Sequence, residues 1–128
     1  MNYTTYTLIA LGGAIGAVSR FLVSTWVYSK AETIFPWGTF AVNISGCFLV
    51  GLVYILSVEL LVISPNMRTF LAVGFLGAYT TYSTFSLEIL NLLKAGQIKL
   101  ALLNSFGTLL AGLLAVWAGF LLARIIVR

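Results

Sequence analysis

Charged residues divide the chain into four long apolar stretches. Residues 2–19 carry no charge before Arg20, and the apolar character continues to about Tyr28. Residues 33–58 lie between Glu32 and Glu59, 69–87 between Arg68 and Glu88, and 100–123 between Lys99 and Arg124. At ~1.5 Å per residue even the shortest, 69–87, reaches about 28 Å, close to a hydrocarbon core of roughly 30 Å. The pattern predicts helices near 5–29, 38–60, 68–93 and 99–127, making one four-helix transmembrane domain over residues 1–128. Pro36 and Gly38 mark the entry to the second helix, Ser64-Pro65-Asn66 the turn before the third, and Ala95-Gly96-Gln97 the turn before the fourth. Short loops make consecutive helices antiparallel neighbours. The first run is expected to stay as a helix rather than act as a cleaved signal, because nothing basic precedes it and Arg20 lies beyond its core.

Composition strengthens this reading. Of 128 residues, 61% are hydrophobic and 8% charged, where a soluble domain carries about 25% charged residues. The expected class is therefore an all-α integral membrane protein. There is no His and no Asp; the only acids are Glu32, Glu59 and Glu88, and the only Cys is Cys47. Ser-His-Asp and Cys-His catalysis, an intrachain disulfide and a Cys/His metal cluster are excluded, and no enzyme is expected. The net charge of +4 comes from scattered single basic residues, whereas a nucleic-acid footprint needs a patch.

The basic residues also bear on orientation. With four spans, one side carries Arg68, Arg124 and Arg128, and the other Lys30, Lys94 and Lys99, or four residues with Arg20. So flat a bias gives little direction to insertion. Either a small protein simply counts few charges, or the chain inserts both ways round. In the second case oppositely oriented copies can pair about a two-fold axis in the membrane plane.

Small residues recur at packing spacing in Gly12-xxx-Gly16, Ala41-xxx-Ser45, Gly74-xxx-Ala78 and Ala111-xxx-Ala115-xxx-Gly119, which lets helix backbones approach closely in lipid. More chemistry lies in Gly77-Ala78-Tyr79-Thr80-Thr81-Tyr82-Ser83-Thr84-Phe85-Ser86, where seven of the eight positions from Tyr79 onward bear a hydroxyl. Polar groups at membrane depth face the bundle interior or a watery path. Gly77 followed by β-branched Thr80 and Thr81 weakens the helix, so a break is expected in the middle of the third span. Broken backbone is tolerated only under cover and frees carbonyls able to hold a hard cation such as Na⁺. The competing reading has each hydroxyl bonding back to its own helix.

Asn43 aligns with Thr39 and Cys47 at helical spacing, and its amide suits either an anion or a neighbouring helix. Asn104, Thr108 and Gly112 form a similar stripe. Arg20 either snorkels or makes an aqueous mouth positive; Glu88 either titrates or caps hydrogen bonds. The combined set is hydroxyl and amide donors, aromatic rings whose edges are positive and one positive mouth residue. It suits a small, strongly hydrated anion.

These motifs resemble the small fluoride channels of the Fluc/CrcB family along the whole chain. Gly16-Ala17-Val18-Ser19-Arg20 is similar to the first-helix motif. Gly38-Thr39-Phe40-Ala41-Val42-Asn43 with Gly46 is similar to G-T-x-x-x-N-x-x-G in the second. Gly74-Phe75-Leu76-Gly77 and Thr80 to Glu88 resemble the third-helix signature. The resemblance implies a dual-topology antiparallel dimer with two pores and a third helix broken at the dimer axis. It implies that carbonyls of Gly77 and Thr80 hold a structural Na⁺ that is not transported. It also implies a fluoride pore with Asn43, with Tyr82 and Phe85 at two ring-edge positions, and with Ser83 and Thr84 on a polar track; Arg20 matches an Arg near the aqueous entry. Tyr82 departs from the commoner Phe by a hydroxyl, and Asn104 and Gly112 stand where some members have Tyr and Ser. The implied activity is passive export of F⁻ left by ionised HF in the cytoplasm, across the plasma membrane. The alternative is a small dual-topology proton-coupled exporter of cationic compounds. It needs an embedded acid in the first helix, which has none, leaving Glu88 as its one substitute.

Overall fold

The computed structural model describes residues 2–127; Arg128, counted above in the charge balance, lies outside them. The chain is an all-helical membrane protein whose third span is broken. Helix α1 is Tyr3–Lys30 and α2 is Trp37–Glu59. The third span consists of α3, residues 65–79, and α4, Tyr82–Lys94, and the last helix is α5, Ile98–Ile126. The helices α1, α2 and α5 are each long and apolar enough to cross a membrane.

Local chemistry places the ends. Pro65 occupies the first turn of α3, where its missing N–H costs nothing, and Ser64 caps that turn by accepting from the Met67 N–H. Gly96 turns the chain between α4 and α5 at φ +73°, a conformation that favours glycine. Phe35, Trp37 and Phe40 pack their rings 4.5–6.0 Å apart at the entry to α2. Residues 55–59 of α2 and 69–76 of α3 wind as wider π turns.

Glycines set the closest packing. A Cβ on Gly12 would strike the backbone of Phe70 and Phe75, and one on Gly16 the Phe75 carbonyl. Numbering rises together in these contacts, so α1 and α3 run parallel. Gly119 similarly seats on the backbone of Phe48 and Leu52, Gly51 on Val116, and Gly112 beside Cys47, so α2 and α5 also run parallel. The arrangement is up-down-up-down, with α2 central: it meets α5 most extensively and also packs on α1. The core joins Val42 and Val53 of α2 to Leu76 and Tyr79 of α3. The leucines of α5, such as Leu110, Leu113 and Leu114, point outward, as lipid requires. Arg124 and Glu59 pair at 2.9 Å where α5 and α2 end.

The packing predicts a sharp contrast between neighbouring glycines. Gly16→Val forces two backbones apart and should cost about 1–3 kcal/mol or more, read as lost thermal stability in detergent. Gly13→Ala should be tolerated, because its nearest foreign atom is the Gly74 carbonyl oxygen at 3.9 Å. Equal stability of both variants would contradict the α1–α3 contact.

Candidate functional site

The site is built around the break between α3 and α4. Thr80 (φ −81°, ψ 158°) and Thr81 (φ −148°, ψ 121°) are both extended. Asn43, about two turns into α2, clamps this segment like a short piece of sheet. Its Oδ1 accepts from the Thr81 N–H at 2.8 Å and its Nδ2 donates to the Thr81 carbonyl at 3.0 Å. In a continuous helix the Thr81 N–H would bond the Gly77 carbonyl. Likewise the Thr84 N–H would bond the Thr80 carbonyl, but it donates to the Thr81 hydroxyl at 3.3 Å, which caps α4. Asn43 and Thr81 thus free the carbonyls of Gly77 and Thr80, which receive no donor among the described residues.

The hydroxyl tract divides into two groups. Thr80 and Ser86 bond back to their own helices, to the Leu76 and Tyr82 carbonyls, each at 3.0 Å. Tyr79 instead reaches across to Ser45 of α2 at 2.8 Å, and the Thr81 hydroxyl donates to Thr84 at 3.1 Å. The bonding-back reading therefore holds for Thr80 and Ser86 and fails for Tyr79 and Thr81.

A cavity of about 710 Å³ opens beside the break, lined by Asn43, Gly77, Thr80, Tyr82 and Phe85 together with Cys47 and Thr108. Five of the residues that the resemblance assigns to the pore or the cation site, Asn43, Gly77, Thr80, Tyr82 and Phe85, meet here. The Tyr82 and Phe85 rings lie 6.0 Å apart with planes at 45°. Ser83 and Thr84 are exposed on the first turn of α4 and do not line this cavity. Arg20 lies on α1 away from the lining; among the described residues it has no carboxylate within 4.0 Å. Among the described residues no acid lines the cavity.

A second polar cluster joins three helices. The Thr39 hydroxyl donates to Glu88 Oε1 at 2.6 Å and the Tyr28 hydroxyl donates to the same oxygen at 2.9 Å. Tyr28 in turn accepts from the Thr39 N–H at 3.2 Å. Each hydroxyl spends its one proton on the carboxyl. Gly38 lets Tyr28 lie flat against α2, since a Cβ there would meet the ring. Glu88 is thus a hydrogen-bond hub in this structure. Sequence reasoning missed its partners, because Tyr28, Thr39 and Glu88 share no spacing pattern.

A model of the family described as "CrcB-like protein, Camphor Resistance (CrcB)" matches residues 7–120. The chain belongs to the CrcB family. Its CrcB relatives include a protein of Acidobacterium capsulatum, 44% identical over 95% of this chain and 98% of its own. A second, of Magnetococcus marinus, is 46% identical over 92% of this chain and 96% of its own. A third, of Hahella chejuensis, is 47% identical over 98% and 99%. All three bear the name fluoride-specific ion channel FluC. The CrcB match spans the break, the clamp and the Glu88 cluster alike.

Proposed function

We propose that this chain is a passive fluoride-specific channel of the plasma membrane that lets cytoplasmic F⁻ leave down its gradient. The observation that carries the reading is the lining of the cavity at the break: an amide, hydroxyls and aromatic rings, with no acid among the described residues. Asn43 holds Thr81 with one N–H of its amide. Nδ2 has a second N–H, which is the donor offered to the ion. Phe85 and Tyr82 offer ring edges, and Ser83 and Thr84 continue the polar track along α4. Arg20 raises the local anion concentration at the entry. The name shared by the relatives points to the same ion. A proton-coupled exporter is disfavoured because the one candidate acid, Glu88, is tied to Tyr28 and Thr39 outside the cavity.

The functional unit in this reading is a homodimer of antiparallel copies. Tyr82 is 81% exposed at the break, and lipid does not satisfy open backbone or a row of hydroxyls. A second copy, inverted about an axis in the membrane plane, covers the broken segment. The carbonyls of Gly77 and Thr80 from both copies then hold one structural Na⁺, whose charge offsets the cost of leaving these oxygens without donors.

Liposomes test the channel. Fluoride-loaded vesicles should release little until a K⁺ ionophore supplies compensating charge, then release rapidly at equal pH on both sides. Chloride-loaded vesicles should stay closed. Fluoride release that needs a pH gradient would favour the exporter. Phe85→Ile keeps bulk and removes the quadrupole, so flux should fall roughly fivefold for an edge contact of about 1 kcal/mol; wild-type flux would take that ring off the path. Protein prepared in Li⁺ or K⁺ without Na⁺ should lose both flux and dimer, and equal function in all three would refute the cation site.

A further inference from the structure

Among the described residues, two buried side-chain polar atoms have no hydrogen-bond partner: Glu88 Oε2 and Asn104 Nδ2. They are opposite in sense, one an acceptor and the other a donor. Asn104 is only 1% exposed, and its Oδ1 is already fixed by the Thr108 hydroxyl at 3.0 Å. Glu88 stands six residues before α4 ends at Lys94, and Asn104 six residues after α5 begins at Ile98. A three-residue turn joins these antiparallel helices, so both residues lie at one depth, about 9 Å from the turn. Gly112 lies beside Cys47 on the parallel α2 and α5, so eight residues earlier on both helices Asn104 comes level with Thr39, whose hydroxyl bonds Glu88. An acceptor and a donor left open at this level would cost about 1–3 kcal/mol each, and native interiors rarely leave such groups unpaired.

We infer that one enclosed water joins Glu88 to Asn104, donating to Oε2 and accepting from the Nδ2 N–H, and that Asn104 is thereby a positioning residue for Glu88. The structure forms no direct bond between the two side chains, whereas a water supplies both missing partners at once. The result is a continuous network from Tyr28 and Thr39 through Glu88 and the water to Asn104 and Thr108, tying α1, α2, α4 and α5 together. Both carboxyl oxygens of Glu88 are then held, and its side chain has one orientation. The inference goes beyond the fluoride reading and does not depend on which ion the chain carries.

Infrared difference spectra of the purified protein test it. Bands of Glu88 are identified by their loss in Glu88→Gln. The wild type should show an O–H stretch of an isolated water that shifts in H₂¹⁸O and disappears in Asn104→Leu. The same substitution should shift the Glu88 carboxyl band, an effect that loosened packing alone would not localise to that band. Asn104→Ser, which keeps a donor and leaves room, should restore the water band. A crystal structure resolving internal waters should place one between Oε2 and Nδ2, a check on the wild type should Asn104→Leu fail to fold. The inference is overturned if the wild type has no such water band, or if density shows the two side chains bonded directly. It is equally overturned if Asn104→Leu leaves the Glu88 band unmoved.

Discussion

Asn43→Leu should destabilise the protein and abolish flux together. The side chains are of similar size, so the change is one of hydrogen bonding rather than volume. It strips the partners from both the N–H and the carbonyl of Thr81, at about 1–3 kcal/mol for each orphaned group. A total of roughly 2–6 kcal/mol is a large share of the stability of a small domain. In a continuous helix the Thr81 N–H would bond the Gly77 carbonyl, and once released it can take that partner and extend α3 through the break. Amide exchange at Thr81 and thermal unfolding in detergent both report this. Asn43→Asp separates the two roles of the residue. It retains the acceptor for the Thr81 N–H, so part of the stability should survive, but it loses the donor offered to an anion, so flux should still vanish. Asn43→Leu with wild-type stability would show that the clamp does not hold the break.

The elements were legible because a membrane span is written in a one-dimensional code of apolar length and flanking charge. Arg20, Glu32, Glu59, Arg68, Glu88, Lys94 and Lys99 outline all four spans, and the helix ends fall close by. The break was legible for a similar reason, since Gly77 and two threonines weaken a helix wherever they stand. What the sequence does not display is which donor goes where. The freed carbonyls follow from Asn43 taking one amide and Thr81 another, and that exchange depends on α2 lying against the break. The Glu88 hub depends on three helices meeting, and the α1–α3 approach on a register between glycines and the Phe75 backbone. The resemblance puts Ser83 and Thr84 on a polar track, and the bonds that Thr84 makes to the Thr81 hydroxyl, which caps α4, appear only in the fold. Pairwise geometry of this kind has no periodic signature.

Two added lysines should silence the channel in one setting and leave it intact in another. The loop 60–64 carries no basic residue, and Leu61 and Val62 are exposed there, at 78% and 59%. Leu61→Lys with Val62→Lys therefore disturbs no packing but raises that side from three basic residues to five, against three or four opposite. Basic loops stay cytoplasmic, so every copy should insert the same way. If the functional unit is antiparallel, uniform insertion leaves no partner of the opposite hand, and flux should fall to background while the protein still accumulates in the membrane. Glu32→Lys with Ala95→Lys biases the other side, again at exposed positions, and should be equally silent alone. Co-expression of the two variants should restore flux, because each supplies the orientation that the other lacks. No effect on folding, expression or pore chemistry explains silence in each and recovery in the mixture. Wild-type flux from either variant alone, with its C-terminus found wholly on one side, would refute the antiparallel dimer.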